Sequence, residues 1–104
     1  MKGYVLSPAA QADLEDIWNY SVCTWGEDRA DRYILGIRDG CGALANGRKD
    51  GQSIEAIRPG YRKLAVGSHV LFFRLTDAGQ IEVIRILHSK MDVAARLAPL
   101  GPDI

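Results

Sequence analysis

The sequence predicts an α+β fold in two layers, with an N-terminal strand and a helical hairpin packed on a mainly antiparallel sheet. Apolar residues recur every three or four positions over residues 8–45, which is typical of amphipathic helices. Apolar runs separated by turn residues follow between residues 61 and 88, which indicates a meander of strands. The predicted order is strand, helix, helix and three strands, with a short helix at the C-terminus.

The first half of the chain begins with a short apolar strand at residues 3–6. Ser7 and Pro8 then form a helix start, because a serine side chain caps free amides and proline suits the first helical position. Gly26 is expected to end this helix, and the acidic pair that follows it begins a second helix. Gly47 ends the second helix, so the two helices form an antiparallel hairpin.

The second helix contains glycines at positions 36, 40 and 42. Each weakens a helix by roughly 1 kcal/mol relative to alanine. We expect them to permit close approach between the two helices.

The second half of the chain is predicted to form the sheet. Residues 48–60 read as a polar loop with one short apolar element, and strands are expected at residues 61–67, 69–76 and 80–88. Apolar residues occupy successive positions in these strands, so both faces of the predicted sheet carry apolar side chains. One sheet face can therefore rest on the helices, whereas the other needs a partner or a C-terminal cover.

Length and charge limit the possible functions. The chain has 104 residues, which fits a single domain over residues 1–104. Thirteen basic residues balance thirteen acidic ones, whereas proteins that bind nucleic-acid phosphates usually carry a basic excess. We therefore expect no direct sequence-specific binding to nucleic acid, although basic residues outnumber acidic ones between residues 58 and 90.

The chain carries no signal for a membrane, a metal or a cofactor. No apolar run approaches the roughly 20 residues that span a bilayer, and no signal peptide is evident, so a cytoplasmic location is expected. Cys23 and Cys41 lack the spacing of a metal site and are predicted to be buried free thiols. No glycine-rich phosphate loop follows a strand, and no cofactor is expected.

Four segments carry a resemblance to a known family. They read LSPAAQADLEDIWNY at residues 6–20, WGEDRADRYI at 25–34, IRPGYRKLAVGSHVLFFR at 57–74 and IEVIRILHSKMD at 81–92. In these segments the chain resembles the ParE branch of the ParE/RelE toxin superfamily. The resemblance implies the toxin of a type II toxin–antitoxin module of the plasmid-stabilisation type, neutralised by a ParD-like antitoxin. It also implies DNA gyrase as the target, whereas RelE relatives cut mRNA on the ribosome.

Cationic residues of the strands are the main candidates for contacts with the target or the antitoxin. Strand alternation places Arg62 with Leu64 and Val66, Arg74 with Phe72, and Arg85 with Val83 and Leu87. On that basis the three arginines are expected to share one sheet face. The full set of predicted contact residues is Trp18, Trp25, Arg62, Arg74, Arg85, His88 and Lys90.

A ribonuclease site is the competing interpretation. Metal-free RNA cleavage needs a base, cations for the phosphate and an acid, and the same arginines with His88 and Lys90 are candidates. However, RelE-like enzymes are strongly basic, carry lysines before the second strand of the sheet and end with a catalytic tyrosine or histidine. Here the corresponding segment, GQSIEAIRPG, has one arginine, and no acid or base for neutral pH follows Asp92.

The sequence therefore favours a non-catalytic toxin that inhibits gyrase by binding, with no catalytic residue assigned. A RelE-like ribosome-dependent mRNA interferase is the alternative, in which His88 acts as base or acid. A third hypothesis is a degenerate module that binds only the antitoxin, in which case expression without the antitoxin leaves growth unaffected.

Overall fold

A computed structural model of the chain describes residues 3–90 and contains the predicted helical hairpin and sheet. Its elements are β1 (Tyr4–Leu6), α1 (Pro8–Trp25), α2 (Glu27–Ala45), β2 (Gln52–Ser53), β3 (Tyr61–Val66), β4 (His69–Leu75) and β5 (Ile81–His88). One sheet has the order β1-β5-β4-β3-β2, in which β1 is parallel to β5 and the other neighbours are antiparallel. The predicted α+β class is confirmed, and the predicted C-terminal helix lies outside the described residues.

The start of α1 is tied to β5 through its cap. The Ser7 side chain accepts a hydrogen bond from the Ala10 amide at 3.0 Å, as the sequence predicts. The same hydroxyl donates to the Ile84 carbonyl at 2.7 Å, and the Ser7 amide donates to the Val83 carbonyl at 2.9 Å. The cap therefore fixes both the start of the helix and its position along the central strand.

The main core lies between the helices and the sheet. It contains Leu14 and Ile17 from α1, Ile37 and Leu44 from α2, and strand residues such as Val83. Ser21 is also buried on α1 and donates back to the Ile17 carbonyl at 2.7 Å. The spacing of these residues follows the predicted helical stripes.

A second cluster lies on the sheet face away from the helices. Phe72, Ile84 and Leu87 are buried there together with Tyr61 and Ile54. Ile54 follows β2, so the segment predicted as a polar loop supplies both a short edge strand and one core residue. The Arg58 guanidinium lies 5.6 Å from the centroid of the Tyr61 ring on the same side.

Two expectations for the helices need correction. Cys41 is buried as predicted, and burial raises the pKa of its thiol to about 11, but Cys23 is exposed. Cys23 lies two residues beyond Ser21, which places it roughly 200° around the helix from the buried stripe. Gly40 approaches β3 rather than α1, since a Cβ at this position would lie 2.9 Å from the Val66 side chain.

Within residues 3–90, neither helix is long and apolar enough to cross a membrane.

Candidate partner-binding surface

The arginines that were predicted to share a sheet face are separated by the register of the strands. Arg62 lies opposite Phe73, which belongs to the core on the helix side. Arg74 lies opposite Tyr61, which belongs to the cluster on the other side. Because cross-strand partners share a face, the two arginines point in opposite directions, and the prediction of a common face is wrong.

A β-bulge explains the position of Arg85. On β4, Phe72 lies opposite Arg85 and Phe73 lies opposite Val83. Ile84 therefore has no partner on β4 and is the extra residue of the bulge. The bulge shifts the alternation, so that Val83 enters the helix-side core whereas Leu87 enters the second cluster. The prediction that Arg85, Val83 and Leu87 share a face is therefore also wrong.

Arg85 forms a two-pronged ion pair with Asp13 on α1. The guanidinium Nε and Nη2 donate to the carboxylate at 2.7 and 2.8 Å, and the Ile86 amide donates to the same carboxylate at 2.9 Å. Only 22% of the Arg85 side chain and 13% of the Asp13 side chain are exposed. Hydrogen bonding to Asp13 raises the pKa of Arg85. Arg85 thus joins α1 to the sheet.

Arg62 and Arg74 also have intramolecular partners. Arg62 donates from Nε to the Asp50 carbonyl at 2.9 Å and from Nη2 to the Gly51 carbonyl at 3.1 Å, which anchors the segment before β2. Arg74 pairs with Glu82 at 2.7 Å on the neighbouring strand, with 43% of its side chain exposed. The three arginines therefore brace three different parts of the fold.

Five rings form a continuous series across the end of the molecule where the helices turn. Each ring contacts the next in the order Tyr20, Trp25, Tyr33, His69 and His88. The centroids of successive rings are 6.4, 6.1, 5.5 and 5.4 Å apart. This series, here called the aromatic strip, connects the C-terminal part of α1 with α2, the start of β4 and the end of β5. It brings together two predicted contact residues, Trp25 and His88.

The helical end of the aromatic strip is open to solvent. Tyr20 is 66% exposed and Trp25 is 45% exposed, and the Arg29 guanidinium lies 5.3 Å from the Trp25 ring centroid. Contiguous exposed aromatic surface with an adjacent arginine is the composition that protein interfaces favour. The strip is therefore the best candidate for a partner contact among the described residues.

The histidine end of the strip is held by specific hydrogen bonds. The Tyr33 hydroxyl accepts from the Ser68 amide at 3.0 Å and shares a hydrogen bond with His69 Nδ1 at 2.5 Å. His88 Nδ1 accepts from the Lys90 amide at 3.2 Å. The Lys90 amide makes His88 Nδ1 an acceptor, whereas the donor in the Tyr33–His69 hydrogen bond depends on the tautomer of the His69 ring.

Two further predicted contact residues, Trp18 and Lys90, are not members of the strip. Trp18 is 36% exposed, and its indole N–H donates to Asp31 on α2 at 3.2 Å. It lines a groove of 230 Å³ between the helices together with Leu14 and Ile34. Lys90 is exposed in the turn that follows β5, two residues after His88.

One known family matches nearly the whole chain. Residues 4–93 fit the family model described as the ParE toxin of the type II toxin–antitoxin system, parDE. The chain belongs to the ParE toxin family. The resemblance found in the sequence is thereby confirmed.

Curated ParE relatives match along nearly their full length. Toxin ParE1 of Mycobacterium tuberculosis (strain H37Rv) is 47% identical over 94 residues, covering 90% of this chain and 96% of the relative. Toxin ParE1 of Caulobacter vibrioides is 42% identical over 97 residues, covering 93% and 99%. Toxin ParE of Escherichia coli is 35% identical over 99 residues, covering 94% and 95%. This chain is accordingly a ParE-type toxin of a type II toxin–antitoxin system.

A solved structure shares the ParE fold. The structure named "Chromosomal ParDE TA system from P. aeruginosa" superposes with a TM-score of 0.72 over 85% of this chain and 96% of that chain. The identity is 23%, so this match supports the fold alone.

Sequence reasoning missed three members of the aromatic strip in this ParE-type toxin, namely Tyr20, Tyr33 and His69. The helical repeat assigns Tyr33 to the core stripe of α2, and the turn pattern places His69 in a turn. The two-residue turn between Val66 and His69 indicates that β4 begins at His69, and the separate register of β4 with β5 sets His69 opposite His88.

Protonation of His69 is expected to weaken the fold. The pKa of His69 lies below 6.5, mainly because the ring is partly buried. The nearby His88 lowers this pKa further, whereas the Asp13 carboxylate raises it. The unfolded chain therefore binds the His69 proton more readily than the folded chain. This contribution to stability is complete above pH 6.5 and is lost as the pH falls through the lowered pKa of the folded state.

The expected result is a lower melting temperature at about pH 5.5 than at about pH 7.5, with a smaller difference in His69→Asn. Asparagine provides an oxygen close to the position of Nδ1 for the Tyr33 hydroxyl but does not titrate. Thermal melts of the wild type and the variant at both pH values test this prediction. The carboxylates are the same in both proteins, so their titration does not account for a difference between them. An equal loss in the variant would contradict a contribution from His69.

Proposed function

We propose that this ParE-type toxin inhibits DNA gyrase by binding it and that a ParD-like antitoxin neutralises it. The observation that carries the proposal is the exposed aromatic strip, whose members Trp25 and Tyr20 present large rigid rings to solvent beside Arg29. Aromatic and arginine side chains dominate the energy of protein interfaces. The family membership supplies the context of a toxin controlled by an antitoxin.

The state of the cationic residues favours binding over RNA cleavage. Stabilising the phosphate in the transition state requires preorganised cations directed at it. Arg85, the arginine nearest to His88 in sequence, is instead bound at two atoms to Asp13, and Arg62 is bound to two backbone carbonyls. Recruiting either arginine for catalysis would break contacts that stabilise the fold.

The antitoxin is proposed to cover apolar surface along the helices. The solved relative is named as a ParDE system, which supports a ParD-like partner for this chain. The groove beside Trp18 is lined by Leu14 and Ile34 and has Glu15 and Arg38 at its sides, so it suits an amphipathic segment. Binding there would bury Trp18, which is 36% exposed.

The target is tested with purified gyrase, relaxed plasmid and the toxin freed from its antitoxin. We expect loss of supercoiling together with accumulation of linear DNA. Trp25→Ala is expected to raise the toxin concentration for half-inhibition about tenfold, the effect of losing a moderate interface hot spot. Leu35→Ala is the matched control, since Leu35 is 57% exposed and lies two residues from Tyr33, on another side of α2.

Unimpaired supercoiling by a toxin that still stops growth would contradict the proposed target. Cleaved mRNA on ribosomes, lost in His88→Ala, would then assign the RelE-like activity instead. Equal inhibition by wild type and Trp25→Ala, with gyrase confirmed as target, would remove the aromatic strip from the interface. Thermal melts of each variant show whether it remains folded.

A further inference from the structure

The sheet has an open edge along the second half of β3. β2 covers only the first part of this strand, because its register pairs Gln52 with Lys63 and Ser53 with Arg62. Within residues 3–90 no strand lies opposite residues 64–66 on that side. The peptide groups of this short stretch are therefore placed to accept a further strand.

Ala65 directs its peptide groups toward this open edge. The Ile54 amide donates to the Tyr61 carbonyl, which shows that Tyr61 faces the β2 side. Alternate residues of an antiparallel strand bond to the same side, so Lys63 and Ala65 face it as well. Ala65 is exposed and has no strand partner on this side in the described region. Its N–H and C=O can therefore bond to an added chain.

A groove lies on each side of the open edge. The larger, of 670 Å³, is bounded by the α2 residues Gly36, Gly40 and Ala43 and by Leu64 and Val66 on β3. The smaller, of 470 Å³, lies on the far face of the sheet and is bounded by Gly51, Gln52, Lys63 and Val70. Leu64 and Ala65 line both grooves. Side chains of an added strand alternate between the two faces, so each groove would receive every second side chain.

The linings of the two grooves carry a net positive charge. Arg48 and Lys49 line the larger groove together with Asp39, and Lys63 lines the smaller one. Three cations thus face one carboxylate. This balance favours an acidic ligand and opposes a second copy of the same edge.

We propose that the β3 edge binds an acidic, extended segment of a protein partner, which adds to the sheet as a sixth strand beside Ala65. Backbone hydrogen bonds supply affinity, and the two grooves and their cations select the side chains. The surface shares no residue with the aromatic strip and goes beyond the gyrase contact proposed above.

The probe is a short acetylated peptide of alternating glutamate and valine, added to the isotope-labelled full chain. We expect amide chemical-shift changes centred on residues 64–67 and Gly40. A peptide with lysine in place of glutamate, and one with N-methylated valines, are expected to bind at least about tenfold more weakly because they lose charge pairing or backbone bonds.

Two kinds of variant separate the backbone contribution from the charge contribution. Ala65→Pro removes the edge N–H, which β4 does not use, and is expected to weaken peptide binding about tenfold. Ala65→Thr keeps this N–H and is the matched control. The double variant Arg48→Glu and Lys49→Glu is expected to reverse the preference toward the lysine peptide, and it leaves the strand backbone unchanged.

Equal binding of the glutamate peptide to Ala65→Pro and Ala65→Thr would overturn the proposal, as would shift changes confined to the aromatic strip. Dimerisation of the free chain that Ala65→Pro abolishes would assign the edge to a second copy and would also overturn it. The gyrase assay reads out a different surface. A failure of peptide binding therefore leaves the supercoiling result intact, and a failure of gyrase inhibition leaves peptide binding intact.

Discussion

Asp13→Ala is expected to lower the free energy of unfolding by about 3 kcal/mol, near the lower end of values for breaking a buried ion pair. The carboxylate accepts two bonds from Arg85 and one from the Ile86 amide, and 13% of its side chain is exposed. Its removal leaves a largely buried guanidinium and a backbone amide without this acceptor. Urea unfolding of the wild type and the variant measures the loss.

Arg74→Ala is the comparison for this ion pair. The Arg74–Glu82 bond is equally short at 2.7 Å, but 43% of the arginine side chain is exposed. Solvent screens such a pair, and its loss is expected to cost less than about 1 kcal/mol. A similar loss for both variants would show that burial of the Asp13 pair does not set its energy.

Gly51→Ala is expected to destabilise the fold by about 3 kcal/mol, because a conformational cost and a steric cost add. Gly51 has φ of +73°, and a left-handed conformation costs an alanine about 1–2 kcal/mol. An added Cβ would also lie 2.7 Å from the Lys63 carbonyl oxygen and 2.8 Å from the Phe73 ring. The carbonyl belongs to β3 and cannot move without disturbing the pairing of β2.

Gly47→Ala isolates the conformational part of this effect. Gly47 has φ of +80°, but a Cβ there would meet nothing within 4 Å. The expected loss is about 1–2 kcal/mol. Urea unfolding measures the free energy of unfolding of both variants. Equal decreases would show that the contacts of the added methyl group with β3 do not destabilise the Gly51→Ala variant.

The sequence by itself determined the elements whose signals are local. The helices follow from a repeat of apolar residues within each segment, and the start of α1 follows from a serine that caps an amide three residues away. The hairpin turn of the helices at Gly26, the three main strands and the family were likewise predictable from short stretches of chain. Trp25 and His88 were identified as contact candidates, and their role in binding stays a prediction.

Only the tertiary structure decided how distant residues meet. Arg85 and Asp13 are 72 positions apart, and their pairing depends on a bulge at Ile84 that shifts the alternation of β5. The aromatic strip likewise requires the register that sets His69 opposite His88 and the packing of α2 that brings Tyr33 to them. Side-chain alternation predicts a face only while the register is regular, and a single extra residue moves every later side chain to the other face.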